Sequence, residues 1–156
     1  MKSITIGMIN EANDENFIDS DDLCLFLNIE SILNLTANTE TVRLKVKVGS
    51  TIFRATLHNN ATVTAFKAQL PMTIKMTELN GNEKYGELSG NIPSDASNPG
   101  TIQIGDLMLY GSNTLVLFYK TFSTSYSYTK IGRIDDPSGL ATALGGEDVT
   151  LKLELE

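Results

Sequence analysis

The sequence contains no tryptophan, one cysteine and one histidine in 156 residues. Because Cys24 has no second cysteine to pair with, an internal disulfide is excluded. One cysteine and one histidine cannot supply the nitrogen and sulfur ligands of the usual metal sites, and His58 is the only histidine that could activate a serine nucleophile. We therefore expect no metal centre, no cofactor and no hydrolase triad.

Long apolar stretches are also missing. A membrane-spanning helix needs about 18 or more consecutive apolar residues, and the sequence has no such stretch. After Lys2, Ile4, Ile6 and Met8 alternate with polar residues and acidic residues follow from Glu11, which is not the continuous apolar segment of a secretory signal. We expect no membrane span and a cytoplasmic location for the chain as written, with an exported form if the true N-terminus differs.

Positive charge is scarce, since 12 basic residues face 19 acidic ones and the net charge is −7. Residues 1–40 carry eight acidic residues against Lys2 alone, whereas the rest of the chain carries eleven of each sign. A neutral domain lacks the basic surface that neutralises phosphates, so we expect no nucleic-acid partner. We interpret residues 1–41 as an acidic N-terminal extension with a short strand at residues 4–8 and a helix over residues 21–34.

Residues 42–156 form the predicted main domain, which opens with a β-pattern. Apolar residues alternate with Arg and Lys over residues 42–48, and Gly49-Ser50 then provides a two-residue turn to a return strand over residues 53–57. Helical spacing follows over residues 61–70, with Asn60 or Thr62 as the N-cap and Pro71 as the stop.

The rest of the main domain continues this pattern. Strands are predicted over residues 72–78, 101–104, 107–110, 115–121, 126–134 and 149–155, a long loop over residues 81–100, and a second short helix over residues 137–143. About seven or eight short strands with two helices predict a mainly β protein. We expect a closed or nearly closed antiparallel barrel, because closure removes exposed strand edges.

Aromatic residues are concentrated in one segment. Six of them occur within 19 consecutive positions, namely Tyr110, Phe118, Tyr119, Phe122, Tyr126 and Tyr128. The four at positions 118, 122, 126 and 128 would project from one side of a regular sheet. Tyrosine combines a large apolar ring with a hydroxyl group, which suits an extended peptide or another flat ligand. The alternative is that these rings fill or cover the barrel.

Several segments give the main domain a family resemblance. They are the hairpin and helix of residues 42–70, the Gly-Asp-Leu-Met-Leu-Tyr-Gly-Ser-Asn-Thr segment of residues 105–114 with the strand after it, and Ile131-Gly132-Arg133-Ile134. Residues 80–88, with Glu83 and Tyr85, fit the same pattern. Residues 42–156 thus resemble the bacterial cyclophilin-like domain family, small proteins mostly of unknown function and remote relatives of the cyclophilin peptidyl-prolyl isomerases. The resemblance implies an antiparallel β-barrel capped by two short helices.

The arginines of this chain differ in position from the catalytic arginine of the cyclophilin enzymes. In the cyclophilin enzymes, an arginine after the first helix donates a hydrogen bond to the prolyl nitrogen as its amide conjugation is lost. The chain has three arginines, Arg43, Arg54 and Arg133, and none lies between residue 54 and Gly105. The cations that follow the first helix there are Lys75 and Lys84, which lack the planar fork of arginine. We therefore expect no efficient isomerase activity.

These observations favour a non-catalytic module that binds a peptide or a small molecule. We expect its groove to be walled by Met72, Met76, Tyr85, Tyr110 and Tyr126, with Glu83, Tyr128 and Arg133 as further ligand contacts. The alternative function is a peptidyl-prolyl isomerase that uses a non-standard donor, Arg54 or Arg133. A third hypothesis is an enzyme for a small metabolite, with Glu83 beside a titratable partner in a deep pocket.

Overall fold

The computed structural model describes residues 41–156. The predicted strand at residues 4–8, the predicted helix over residues 21–34 and Cys24 lie outside the described residues. Among residues 41–156, no helix has both the length and the apolar character needed to cross a membrane.

Ten strands and two helices make up the described part of the chain. The strands are β1 Arg43–Val48, β2 Thr51–Leu57, β3 Met72–Leu79, β4 Glu83–Glu87, β5 Thr101–Ile102, β6 Asp106–Tyr110, β7 Thr114–Phe118, β8 Phe122–Ser123, β9 Thr129–Ile134 and β10 Val149–Leu155. The helices are α1 Ala61–Ala68 and α2 Leu140–Leu144.

Eight of these strands close into a barrel in the order β1-β10-β3-β4-β7-β6-β9-β2, and all neighbours are antiparallel. The remaining strands, β5 and β8, pair with each other as a separate two-stranded sheet. The predicted mainly β fold, with a closed antiparallel barrel and two short helices, is confirmed.

The first hairpin shows how the sequence pattern directs this fold. Leu44, Val46 and Val48 of β1 are buried, while the residues between them are not. Gly49 begins the turn with φ = 62°, a conformation that glycine adopts without steric cost. β1 then pairs with β2 on one edge and with β10 on the other, which closes the barrel.

The barrel interior is a single apolar core. Both helices contribute to it, α1 through Val63 and Phe66 and α2 through Leu140 and Leu144. Asn60 is the N-cap of α1, because its side chain accepts a hydrogen bond from the backbone N–H of Val63 at 2.8 Å. An eight-stranded barrel has an interior that side chains can fill, and in this barrel the apolar residues of the core occupy it.

The predicted loop over residues 81–100 is wrong at its start, because β4 occupies Glu83–Glu87. Asn80 and Gly81 both have positive φ, 57° and 68°, and the N–H of Asn82 donates to the Leu79 carbonyl at 3.2 Å. An Asn-Gly turn of this kind matches the twist of a β-hairpin and joins β3 directly to β4.

Three predicted strands end earlier or begin later than expected. The strand predicted over residues 115–121 ends at Phe118, the one predicted over 126–134 begins at Thr129, and the one predicted over 101–104 contains only Thr101–Ile102. The chain leaves the barrel after Phe118, forms β8 against β5, and pairs Tyr128 with Ser97 before β9 starts.

Candidate functional site

Strands β6 and β7 are buried on both of their faces. Leu107, Leu109, Leu115 and Leu117 contribute to the barrel core. The alternate residues Met108, Val116 and Phe118 belong to a second apolar cluster with Ile102 and Tyr128, against which Tyr85 and Phe122 pack. Because side chains alternate along a strand, this second cluster lies on the outer face of the barrel, under the β5–β8 sheet.

A groove of about 410 Å³ lies on this outer face, and we name it the tyrosine groove. It is lined by Leu79, Asn80, Glu83, Tyr85, Tyr110, Thr114, Val116, Tyr126 and Tyr128. Four of the five tyrosines in the sequence are therefore in one place. Strands β4, β6 and β7 supply one side, and the segment that leads into β9 supplies Tyr126 and Tyr128.

The tyrosine rings pack against one another at steep angles. The rings of Tyr110 and Tyr126 have centroids 6.3 Å apart and planes at 86°, and the rings of Tyr110 and Tyr128 are 5.7 Å apart at 55°. Tyr128 also packs edge-on against Phe118, at 5.4 Å and 89°. Tyr110 and Tyr126 are 48% and 62% exposed, so two rings at nearly a right angle remain available to a ligand.

Glu83 supplies the one acidic group in the lining of the groove. The residue lies opposite Phe118 in the β4–β7 register, and Tyr85 lies opposite Val116, which places both on the outer face. Burial raises the pKa of Glu83, and repulsion from Glu78 raises this pKa further. Burial also raises the pKa of Tyr128, with repulsion from Glu83 as the next cause.

Lys84, the next residue along β4, points the other way and is completely buried. Its Nζ donates to Glu78 Oε1 at 2.8 Å, to the Gly145 carbonyl at 2.9 Å and to the Glu147 carbonyl at 2.6 Å. All three protons of the ammonium group therefore have acceptors.

Tyr119 completes this buried network. Its hydroxyl donates to Glu78 Oε1 at 2.6 Å, and its ring centroid lies 5.3 Å from Lys84 Nζ. Burial and the hydrogen bond to Glu78 raise the pKa of Tyr119 to about 12. Burial disfavours ionisation of Glu78, but the hydrogen bonds from Lys84, Tyr119 and the Gly81 amide outweigh it and lower the pKa of Glu78. The network ties the β3–β4 hairpin to the segment that precedes β10.

The structure brings five of the eight predicted site residues together in the tyrosine groove, namely Glu83, Tyr85, Tyr110, Tyr126 and Tyr128. The two methionines are elsewhere. Met76 is fully buried in the barrel core, and Met72 lines a separate depression with residues of β10. The expected groove wall of Met72 and Met76 is therefore wrong, because the even-numbered residues of the central part of β3, Ile74 and Met76, face the barrel interior.

Arg133 also lies away from the tyrosine groove. It lines a smaller depression of about 230 Å³ with Thr56, His58, Asp106 and Lys130. Its Nε donates to Asp106 Oδ1 at 2.7 Å, and the Asp106 side chain is 4% exposed. Arg133 therefore does not join the five residues in the tyrosine groove, because the β9–β6 pairing places it opposite Asp106. Its contact with a ligand stays a prediction.

The other two arginines are ion-paired too. Arg43 pairs with Asp135, and Arg54 pairs with Glu156. None of the three arginines lines the tyrosine groove. The groove therefore holds no guanidinium group of this chain that could donate to a prolyl nitrogen.

The lining includes four residues that the sequence analysis did not select, Leu79, Asn80, Thr114 and Val116. The Asn80-Gly81 pair is the signal that could have found two of them, because it predicts a hairpin that places Leu79 and Asn80 beside Glu83. Thr114 and Val116 become neighbours of β4 only through the β4–β7 pairing, which no local pattern shows. Residues 41–156 contain no group of three or more His, Cys, Asp or Glu side chains that could hold a metal ion.

Comparisons with known proteins agree with this architecture. A family model described as "Cyclophilin-like family" matches residues 46–155. The solution structure of the hypothetical protein AF2241 from Archaeoglobus fulgidus is similar in fold, with a TM-score of 0.51 and 17% sequence identity over 73% of this chain and 94% of that one. No curated protein matches the chain.

Proposed function

The chain belongs to the cyclophilin-like family, and we propose that it is a non-catalytic module that binds a peptide segment or a small molecule in the tyrosine groove. One observation carries this proposal. Of the five large apolar side chains that are most exposed in residues 41–156, three line this groove, namely Leu79, Tyr110 and Tyr126. Large apolar side chains gathered at one surface depression are typical of a binding site.

The size and composition of the groove support the same function. A volume of about 410 Å³ lies within the range of small-molecule sites, which is roughly 300–1,000 Å³. Its walls are mainly aromatic and aliphatic, and Asn80, Glu83, Thr114 and the tyrosine hydroxyls supply the polar groups. Such sites usually combine an apolar wall with a few polar groups that orient the ligand.

The placement of the arginines favours binding over isomerase catalysis. Rotation about an Xaa-Pro bond has a barrier of about 18–20 kcal/mol. The cyclophilin isomerases lower this barrier with the guanidinium group of an arginine. Arg54 and Arg133, the candidate donors, are each paired with a carboxylate outside the tyrosine groove. Lys84, the nearest cation along β4, points into the barrel.

The proposal is tested by nuclear magnetic resonance of the 15N-labelled chain with a library of neutral, cationic and anionic aromatic fragments and blocked tripeptides. We expect amide shifts confined to β4, β6, β7 and the segment before β9. Tyr126→Ala should weaken the binding of the best fragment by about tenfold, since a stacked aromatic pair and its apolar area contribute on the order of 1–2 kcal/mol.

Ile52→Ala is the matched control, because Ile52 is also exposed but does not line the groove. The proposal fails if no fragment shifts the groove amides, or if both variants weaken binding equally. An isomerisation assay on proline tetrapeptides separates the alternative function. Robust turnover that is lost in Arg133→Ala would establish the isomerase instead.

A further inference from the structure

We propose that the tyrosine groove takes the cationic group of its ligand, an organic ammonium or guanidinium, between the tyrosine rings and the Glu83 carboxylate. This inference rests on the proposed binding function and specifies the chemical class of the ligand. It is carried by the charges, the packing and the exposure of the residues that line the groove.

The lining of the groove has a negative group and no positive one. Glu83 is the only charged residue among the nine lining residues. The ion pairs formed within residues 41–156 involve Glu78, Asp106, Asp135, Glu154 and Glu156, and none of them involves Glu83. The carboxylate is therefore available to a positive group of a ligand.

The neighbouring lysine cannot neutralise Glu83. Lys84 is adjacent in sequence, but β-strand alternation sends its side chain into the barrel, where Glu78 and two backbone carbonyls accept all of its protons. The next residue on the same face as Glu83 is Tyr85, which also lines the groove. The fold thus separates the two charges of this segment onto opposite faces of β4.

The groups around Glu83 make its charge unfavourable in the free protein. Its carboxyl is partly desolvated, and repulsion from Glu78 further disfavours its ionised form. An anionic ligand would add to this repulsion. A neutral ligand would cover the carboxylate without offering a counter-charge, which costs free energy. A cation offsets both effects.

The tyrosine rings provide a second attraction for a cation, in addition to the Glu83 carboxylate. A cation within about 6 Å of an aromatic ring centroid is attracted to the ring face, and this interaction gains strength when water is excluded. The rings of Tyr110 and Tyr126 are nearly perpendicular and exposed, with Tyr128 packed behind Tyr110. Two aromatic walls and a carboxylate are a suitable arrangement for an alkylated ammonium or a guanidinium.

The experiment compares charged probes with uncharged ones of the same shape. Choline is titrated against 3,3-dimethylbutan-1-ol, and a blocked Gly-Lys-Gly peptide against a blocked Gly-norleucine-Gly peptide, with the full 15N-labelled chain at neutral pH and physiological salt. We expect at least one cation to shift the groove amides with an affinity about tenfold or more above that of its neutral partner. Choline and the lysine peptide distinguish a small-molecule cation from a side chain of a peptide.

Glu83→Gln should lower the affinity for the preferred cation by about tenfold without lowering the affinity for its neutral partner. Glu87→Gln is the matched control, because it removes the same charge from the same strand at an exposed residue outside the lining. The inference is overturned if charged and neutral probes bind equally, if Glu83→Gln binds the cation as the wild type does, or if Glu87→Gln has the same effect as Glu83→Gln.

The two proposals fail in different ways. Neutral fragments that bind in the groove while both cations do not would overturn the inference and leave the proposed function standing. If no probe of any charge shifts the groove amides, both the proposed function and the inference are overturned.

Discussion

At Lys84 the fold buries an ammonium group completely and meets it with three oxygen acceptors. Removing one member of a buried ion pair leaves its partners without compensation, so we predict that Lys84→Met lowers the free energy of unfolding by about 3 kcal/mol or more. Urea unfolding measures this change. Lys45→Met is the control, because the pair of Lys45 with Glu154 is partly exposed and should contribute less than about 1 kcal/mol. Equal losses in the two variants would contradict the prediction.

Glu83 gives the protein a pH dependence of a defined sign. Its pKa in the folded state is raised above the ordinary value of 4.5, first by burial and then by Glu78. Ionisation of Glu83 therefore costs stability at neutral pH, and this cost disappears as the pH falls below 4.5.

We predict that Glu83→Gln melts at a higher temperature than the wild type at neutral pH, and that this advantage shrinks on acidification towards pH 4. Thermal unfolding of both proteins across this range measures the difference between them, so that the titration of the other carboxyl groups largely cancels. A wild type that is more stable than the variant at neutral pH would contradict the prediction, because it would show that ionised Glu83 stabilises the fold.

At the scale of elements, β9 depends on a close approach to β2. A Cβ atom on Gly132 would lie 2.5 Å from the Thr56 carbonyl oxygen and 3.0 Å from a methyl carbon of Leu57. We predict that Gly132→Ala costs roughly 1–3 kcal/mol, because the backbone of β2 must move. Gly90→Ala is the control, since nothing lies within 4 Å of its added Cβ. Chemical denaturation measures the free energy of unfolding of both variants. A Gly132→Ala variant as stable as the wild type would contradict the prediction.

The elements also show which features the sequence could predict. The strict alternation of Val, Leu and Lys predicted β1 and β10, and the spacing of Val63 and Phe66 predicted α1 with Asn60 at its cap. β4 was missed because Glu83, Lys84 and Gly86 have weak strand propensity, and only the Asn80-Gly81 turn indicates it. Strand propensity describes how a side chain fits its neighbours, so a polar strand becomes recognisable only when those neighbours are known.

The same limit applies to the tyrosine groove. Even numbering correctly indicated that Phe118, Phe122 and Tyr128 share a face, and they pack together on the outside of the barrel. The alternation of residues divides a strand into two faces, but it does not tell which face points into the barrel. It therefore could not show that Met76 faces the interior. Strand order decided that question. The position of Arg133 beside Asp106 could not be predicted either, since it follows from the pairing of β9 with β6.

For the whole molecule, the barrel and both helices are built from residues 43–155. We predict that a chain beginning at Thr41 unfolds in a single cooperative transition and keeps the 15N shifts of the groove amides. A chain ending at Asp148 should not fold, because loss of β10 opens the barrel between β1 and β3 and removes Leu151 and Leu153 from the core. Loss of cooperativity in the chain beginning at Thr41 would mean that the main domain needs preceding residues.

In strands β6 and β7, one set of side chains packs in the barrel core and the alternate set faces outward, where some of its members line the groove. Leu109 and Leu115 face inward, while Tyr110 and Thr114 line the groove. Substitutions at Tyr110 and Thr114, the outward positions that are not buried, can therefore accumulate over evolutionary time without disturbing the barrel core, whereas Met108, Val116 and Phe118 are packed in the second apolar cluster. A laboratory library randomised at these outward positions should yield many folded proteins with new ligand preferences, which makes the barrel a scaffold for directed evolution.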